Sequence, residues 1–327
     1  MTVRPAVKTL LAVTLSLVLL PGAAAAAPDP ALPAGPAPEV VHQVGSTVRG
    51  PGVDTVTLPA KVRGARVLGQ RHGAWIVWVD GSEPEVFVVK GASVRRIWHH
   101  TYDESATDYT LVDGADRVVE WNYGRGGESF GTVFDLRGRE LGTRFFPSGS
   151  ALLAADRHGV LVGARRQTLR WVPGRKPVPA GPAAYFADPD HDLLMVPVGD
   201  GAVGPTTFAA PGTPAWSAEF VPVVVSPDGA WVAGVTYRRR SRLVVLRLSD
   251  GAPAPVPARL VDQGATIPGG PYVQLAWEPD GDLLFVEGGP RGRSITRCTL
   301  AGACQRTTKP VKGQVVGFPD DVATNAS

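Results

Sequence analysis

Two families of tight turns recur along this chain at one spacing, and that spacing restricts the possible folds more than any other feature. The first family holds Gly73 (QRHGAW), Gly114 (VDGADR), Gly159 (DRHGVL), His191 (DPDHDL), Gly229 (SPDGAW) and Gly281 (EPDGDL). The second holds Gly91 (VKGASV), Gly138 (LRGREL), Gly174 (VPGRKP), Gly212 (APGTPA), Gly251 (SDGAPA) and Gly302 (LAGACQ). Both step by about 42 residues on average, a period typical of repeat architectures. Each member of the second family follows its counterpart in the first by 15 to 24 residues. Between the turns lie runs such as WIVWV, VFVVK, TVFDL, FVPVVV, WVAGV, RLVVLRL and LLFVE. These are of strand length and rich in β-branched and aromatic residues, and helical periodicity is almost absent after the first thirty residues.

The repeating unit is therefore strand, turn, strand, loop, strand, turn, strand, and four strands in forty-odd residues make the blade of a β-propeller. Six units are complete. One period beyond Gly281 lies Asp321 in GFPDDVA, in a first-family context, and one period before Gly91 lies Gly50 in VRGPGV, in a second-family context. The two ends thus read as halves of a seventh unit. The C-terminus is expected to supply its inner strands and the N-terminus its outer ones, which leaves no free sheet edge. The expected fold is all-β, a seven-bladed β-propeller of four-stranded antiparallel blades, with a six-bladed ring as the alternative.

The chain opens as a secretory signal: Arg4 and Lys8, an apolar run from Leu10 to Leu20, Pro21-Gly22, then Ala23 to Ala27. That run is well short of the roughly 20 residues a membrane span needs, so residues 1–26 are expected to be removed and no span to remain. Residues 27–39, PDPALPAGPAPE with its preceding Ala, are too rich in Pro and Ala to bury much apolar surface and read as a flexible tether. Residues 40–327 read as one domain. Export suits the two cysteines, Cys298 and Cys304 in ITRCTLAGACQ. With Leu300 to Gly302 in the turn they become cross-strand partners, and a disulfide closing so short a loop contributes about 2 kcal/mol. The spacing is not that of a C-x-x-C redox pair.

SPDGAWVAGV and EPDGDLLFVE resemble the PD40, or TolB-like, branch of the WD40-like propellers, and DPDHDL is a degenerate third copy. In such a turn Pro pre-sets its backbone angle, Asp accepts local N–H groups and Gly takes the positive φ. The other blades carry RHG or DGAD instead. The resemblance implies a propeller acting outside the cytoplasm as a binding or scaffold module; no peptidase domain of the kind some relatives carry follows here.

The net charge is +3, and only six of the 33 basic residues are Lys, so Arg dominates. Arg recurs in the loops between second and third strands, which open on the same face as the blade connections: Arg125, Arg165 and Arg166, Arg238, Arg239 and Arg240, Arg291 and Arg293. A planar donor fork suits phosphate and carboxylate, so these residues form a candidate rim for a protein or an anionic envelope polymer. Trp and Tyr do not alternate with them, which excludes a nucleic-acid platform. His72, His158 and His191 occupy equivalent turns spread around the ring, too far apart to share an ion. The segment WHHTYDESATDY gathers His99, His100, Asp103, Glu104 and Asp108 without calcium-loop spacing. His99, His100 and Asp103 are the candidates for the alternative reading, a propeller hydrolase, lyase or lactonase with a metal in its channel. No GxSxG, HExxH or phosphate-binding Gly loop is present. The leading expectation is a secreted, monomeric, non-catalytic binding module without a cofactor. Trp75, Trp121, Trp231 and Trp277 are expected to fill the wedges between blades.

Overall fold

The structure, a computed structural model, describes residues 32–81, 83–100, 106–124, 127–199, 201–236, 241–259, 261–262, 266–267, 270–271 and 273–319. They form seven antiparallel blades in a ring. Blade one is Arg66–Arg71, Ala74–Val79, Glu85–Lys90 and Ser93–His99; blade two is Ala106–Leu111, Arg117–Tyr123, Ser129–Asp135 and Glu140–Phe146. Blade three is Ala151–Asp156, Gly159–Ala164, Gln167–Trp171 and Val178–Pro182, and blade six is Leu275–Trp277, Leu283–Gly289, Gly292–Cys298 and Cys304–Arg306. Blades four (Phe186–Asp188, Leu193–Pro197, Val203–Thr207) and five (Val221–Val225, Trp231–Val235, Leu243–Arg247) have three regular strands each. A small hairpin, Thr266–Ile267 with Gly270–Pro271, lies between blades five and six in the chain.

The fourth strands of blades four and five are present but broken, for reasons visible in their residues. In blade five, Arg247 N–H donates to Ala252 O, and Ala254 N–H to Val245 O, each at 2.9 Å. Pro253, Pro255 and Pro257 alternate with these residues and hold the outward-facing positions, where a missing N–H leaves nothing for another strand to pair with. In blade four, Ala218 bridges Val203 in both directions at 2.9 Å. Gly212, expected in a tight turn here, is instead bonded to the Thr206 hydroxyl and has no positive φ. Elsewhere the turns behave as their residues require: Gly73 and Gly91 take φ +70 and +57. In the SPDG turn Asp228 accepts from Ala230 N–H at 3.0 Å.

Seven apolar clusters, one for each interface between neighbouring sheets, establish that the ring is closed. Val48, Trp75 and Phe87 fill the wedge between blades seven and one, and Trp78, Tyr109 and Phe134 that between one and two. Trp121, Phe146 and Trp171 lie between two and three; Leu161, Ala187 and Leu194 between three and four; Met195, Phe220 and Val232 between four and five. Leu243, Trp277 and Phe285 lie between five and six, with Trp231 partly buried against them, and Leu284, Ile295 and Phe318 between six and seven. Each such aliphatic or aromatic side chain larger than alanine contributes about 1.5–3 kcal/mol on full burial.

Blade seven corrects the expected division of labour at the closure. Its order is Val316–Gly317, His42–Val44, Thr47–Gly50, Val53–Thr57, so the C-terminus gives the innermost strand and the N-terminus the other three. The reason lies in a second tight turn within VHQVGSTVRGPGV, at Gly45 (φ +63), whose N–H donates to Val315 O at 2.7 Å. The turn expected at Asp321 lies outside the described residues. The expected tether also differs: from residue 32 onward it is laid along blade six. Arg306 N–H donates to Pro33 O and Gly35 N–H to Arg306 O, a parallel extension of the outermost strand. Farther on, the Arg297 guanidinium reaches Ala37 O at 3.1 Å and Glu39 N–H donates to Glu278 at 2.5 Å. Arg297 and Glu278 are themselves a buried pair, the Glu278 carboxylate accepting from both Nε and Nη2. Cys298 and Cys304 are bonded as direct partners across the last hairpin of blade six.

Candidate functional site

Because strand direction alternates within every blade, the ring has two unlike faces. One carries the two families of tight turns. The other carries the loops between second and third strands together with the connections between blades, and the candidate site is on this crossover face.

A cleft of about 930 Å³ opens there between blades five, six, seven and one. Its walls are Gly64 from the connection into blade one, Ser241 from blade five, Val261 and Asp262 from the connection into blade six, Gly288 to Pro290 with Gly292 and Arg293 from the blade-six hairpin, and Val311 to Val315 from the connection into blade seven. Arg293 is fixed from two sides: its backbone pairs with Val311 in both directions, and its Nε lies 2.5 Å from Asp262 Oδ2. Toward the ring axis a small recess of about 60 Å³ shares Asp262, Arg293 and Val315 with the cleft and adds Arg66, Gln274, Val286 and Val316. Arg66 lies on the innermost strand of blade one, its guanidinium 5.2 Å from the centre of the Trp78 ring.

Asp108, on the innermost strand of blade two, answers the Arg66 charge. Burial pushes its carboxyl up to about 6, against the opposing pull of the Tyr109 N–H and of Arg66. A carboxyl that keeps its proton to higher pH in the folded state makes the native protein bind more protons between about pH 4 and pH 6. Stability therefore falls as pH rises through that window and stays lower above it. Asp108→Asn is expected to flatten this slope and to raise stability at pH 7 by about 1–2 kcal/mol, a figure kept modest because the side chain still meets solvent. Denaturant unfolding followed from about pH 4 to pH 7 checks it; an unchanged slope would contradict the assignment.

The arginines of the candidate rim divide into three groups. Arg165 and Arg166 are exposed at the blade-three hairpin, and Arg291 is exposed at the blade-six hairpin. Arg293 lines the cleft and is engaged by Asp262. Arg125 and Arg238 to Arg240 lie outside the described residues. Sequence reasoning missed Gly64, Ser241, Asp262 and Lys312, which carry no local motif and come together only when the ring closes.

The candidates for a metal in the channel are placed elsewhere. His99 is exposed on the outermost strand of blade one, and Asp103 lies outside the described residues. His100 is buried, its Nδ1 2.7 Å from Glu120 Oε1. The same carboxylate accepts from the Tyr109 hydroxyl at 2.9 Å and from the Trp98 indole at 3.0 Å, so this cluster joins blades one and two. Three expected turn histidines lie on the opposite face. His72 reaches Asp116 of the next blade at 2.7 Å, His191 lies 3.0 Å from Asp188 and 3.3 Å from Pro227 O, and His158 is beside Arg157. Among the described residues, Glu278, Asp280 and Asp282 bring carboxylate oxygens within 4.8 Å of one another. Arg297 already supplies the cation there.

No family model matches the chain, and no curated protein matches it. Solved structures do. A Bacteroides fragilis protein provisionally named a 6-phosphogluconolactonase is 13% identical over 83% of this chain and 91% of its own, with a TM-score of 0.50. A functionally unknown protein of Desulfotomaculum acetoxidans is 12% identical over 84% and 95%, at 0.49. The propeller domain of Cps50 (Swd1) from Myceliophteria thermophila is 11% identical over 76% and 87%, at 0.48. Identities this low speak to fold and not to activity. The chain is a seven-bladed β-propeller.

Proposed function

We propose that the protein is a non-catalytic binding module of the TolB-like kind, exported from the cytoplasm, that holds an anionic envelope polymer or a protein against its crossover face. One observation carries the reading: the blade-six hairpin that exposes Arg291 also places Arg293 in the wall of the 930 Å³ cleft, so arginines and cavity share a face. A guanidinium on such a face supplies charge-assisted hydrogen bonds to phosphate or carboxylate. Export is supported by the signal-like N-terminus and by the Cys298–Cys304 disulfide, a bond that persists in oxidising compartments. No helix among the described residues is long and apolar enough to cross a membrane.

The test uses protein recovered outside the cell, whose N-terminus mass spectrometry is expected to place near residue 27. Binding to a long polyphosphate chain should weaken steeply as salt rises from about 50 to 500 mM, because exposed charges are screened over a Debye length. Reversing Arg238 to Arg240 to Glu, together with Arg165→Glu and Arg166→Glu, should weaken it about tenfold or more. Unchanged binding by that variant would remove the rim from the account.

A further inference from the structure

The cleft has properties that the rim does not. The cleft and its recess bring three cations, Arg66, Arg293 and Lys312, against one carboxylate, Asp262, from four separate stretches of chain. Among the described residues its lining contains no aromatic ring. It is open for want of side chains: a Cβ built on Gly64 or on Gly289 would meet no atom within 4 Å. Asp262 engages Arg293 through Nε, which takes one of the five N–H donors of the guanidinium. The planar fork is thus oriented by a carboxylate before any ligand arrives, and a fork held in place loses less entropy per bond formed. At about 930 Å³ the space falls within the range that encloses a compact organic molecule.

We propose that this cleft is a site for a small molecule bearing an oxyanion, phosphate or carboxylate, with Arg293 and Lys312 gripping the anionic group. The proposal rests on the binding-module reading and adds to it one defined site and one small-ligand class. Arg293 is the specifying contact, because its orientation is set by Asp262 and by the pairing with Val311. Lys312, exposed next to Val311 on the segment that pairs with Arg293, adds a mobile point charge.

Isothermal titration with inorganic phosphate and, separately, citrate tests it, at constant ionic strength maintained with sodium chloride. The expected result is saturable 1:1 binding of at least one of the two at millimolar or lower concentration, the tighter anion identifying which oxyanion the site takes. Lys312→Glu, on an exposed side chain and so neutral for folding, should weaken that binding about tenfold, as should Arg293→Gln. Arg175→Glu, exposed at the blade-three tight turn on the other face of the ring, should leave it within about twofold. Binding of neither anion up to about 10 mM, or wild-type binding by Lys312→Glu, overturns the proposal. If polyphosphate still binds and the rim variant still weakens it, the cleft assignment fails while the binding-module reading stands. If polyphosphate and both small anions fail together, the reading fails and the cleft proposal fails with it.

Discussion

Replacing Arg297 with Met is expected to cost the fold about 3–5 kcal/mol, lowering Tm by roughly 10 °C. Arg297 and Glu278 are almost wholly inaccessible, with side chains 6% and 0% exposed. Neither charge could be buried alone, and removing one leaves the other without compensation. The loss should exceed that of an ordinary buried pair because the same two side chains hold the N-terminal segment, through Ala37 O and Glu39 N–H. Replacing both residues, Arg297→Met with Glu278→Leu, should therefore restore part of the loss but not all of it. Denaturant unfolding of the single and double variants gives the coupling directly. A loss below about 1 kcal/mol for Arg297→Met would show that the pair is effectively solvated.

Glu120→Ala is expected to cost about 3–5 kcal/mol through a different mechanism, the loss of one acceptor shared by three donors. Glu120 is 1% exposed and serves His100, Tyr109 and Trp98, which come from both sides of the interface between blades one and two. Truncation leaves the Tyr109 hydroxyl and Trp98 indole without that acceptor in a site that water reaches poorly, and it opens a gap beside the Trp98–Phe134 stack, whose centroids are 4.6 Å apart. Glu120→Gln keeps the shape and one oxygen, so its cost should fall to about 1–2 kcal/mol. Equal stabilities for the Ala and wild-type proteins in denaturant would remove this cluster from the forces that join the blades.

What was legible in the sequence follows from what a turn demands of its residues. Gly at positive φ and Asp accepting local N–H groups are chemical necessities, so the two turn families were readable by spacing, and Gly73, Gly91 and Asp228 behave as read. Tryptophans in the first two strands were readable as wedge residues because nothing else of their size occurs there, and Trp121 and Trp277 are fully buried. The closure was misread because the tight turn at Gly45 went unrecognised; beside it Gln43 is buried, its amide bonded to Ala65 O at 2.7 Å and its carbonyl accepting from Val67 N–H. The segment ahead of it was taken as a tether on composition, which says how little apolar surface it can bury and nothing about backbone groups that Arg306, Arg297 and Glu278 can bond. Most of the cleft was illegible because its walls are drawn from positions as distant as Gly64 and Lys312. Of its lining only Arg293 was marked beforehand, as part of a recurrent pattern.

Every surface assigned above depends on the ring being closed by Val316–Gly317 pairing with His42–Val44. Val44 and Val316 are Cα partners, and the bond from Gly45 N–H to Val315 O makes them a non-hydrogen-bonded pair, the kind whose Cα atoms lie about 4.5 Å apart and within disulfide reach. The direct test is the double variant Val44→Cys with Val316→Cys, oxidised under mild conditions and analysed by peptide mass mapping. Closure as described predicts a near-quantitative 44–316 cross-link alongside the retained Cys298–Cys304 bond, in a protein that unfolds at higher denaturant than its reduced form. Two free thiols at 44 and 316 in a folded protein would contradict it.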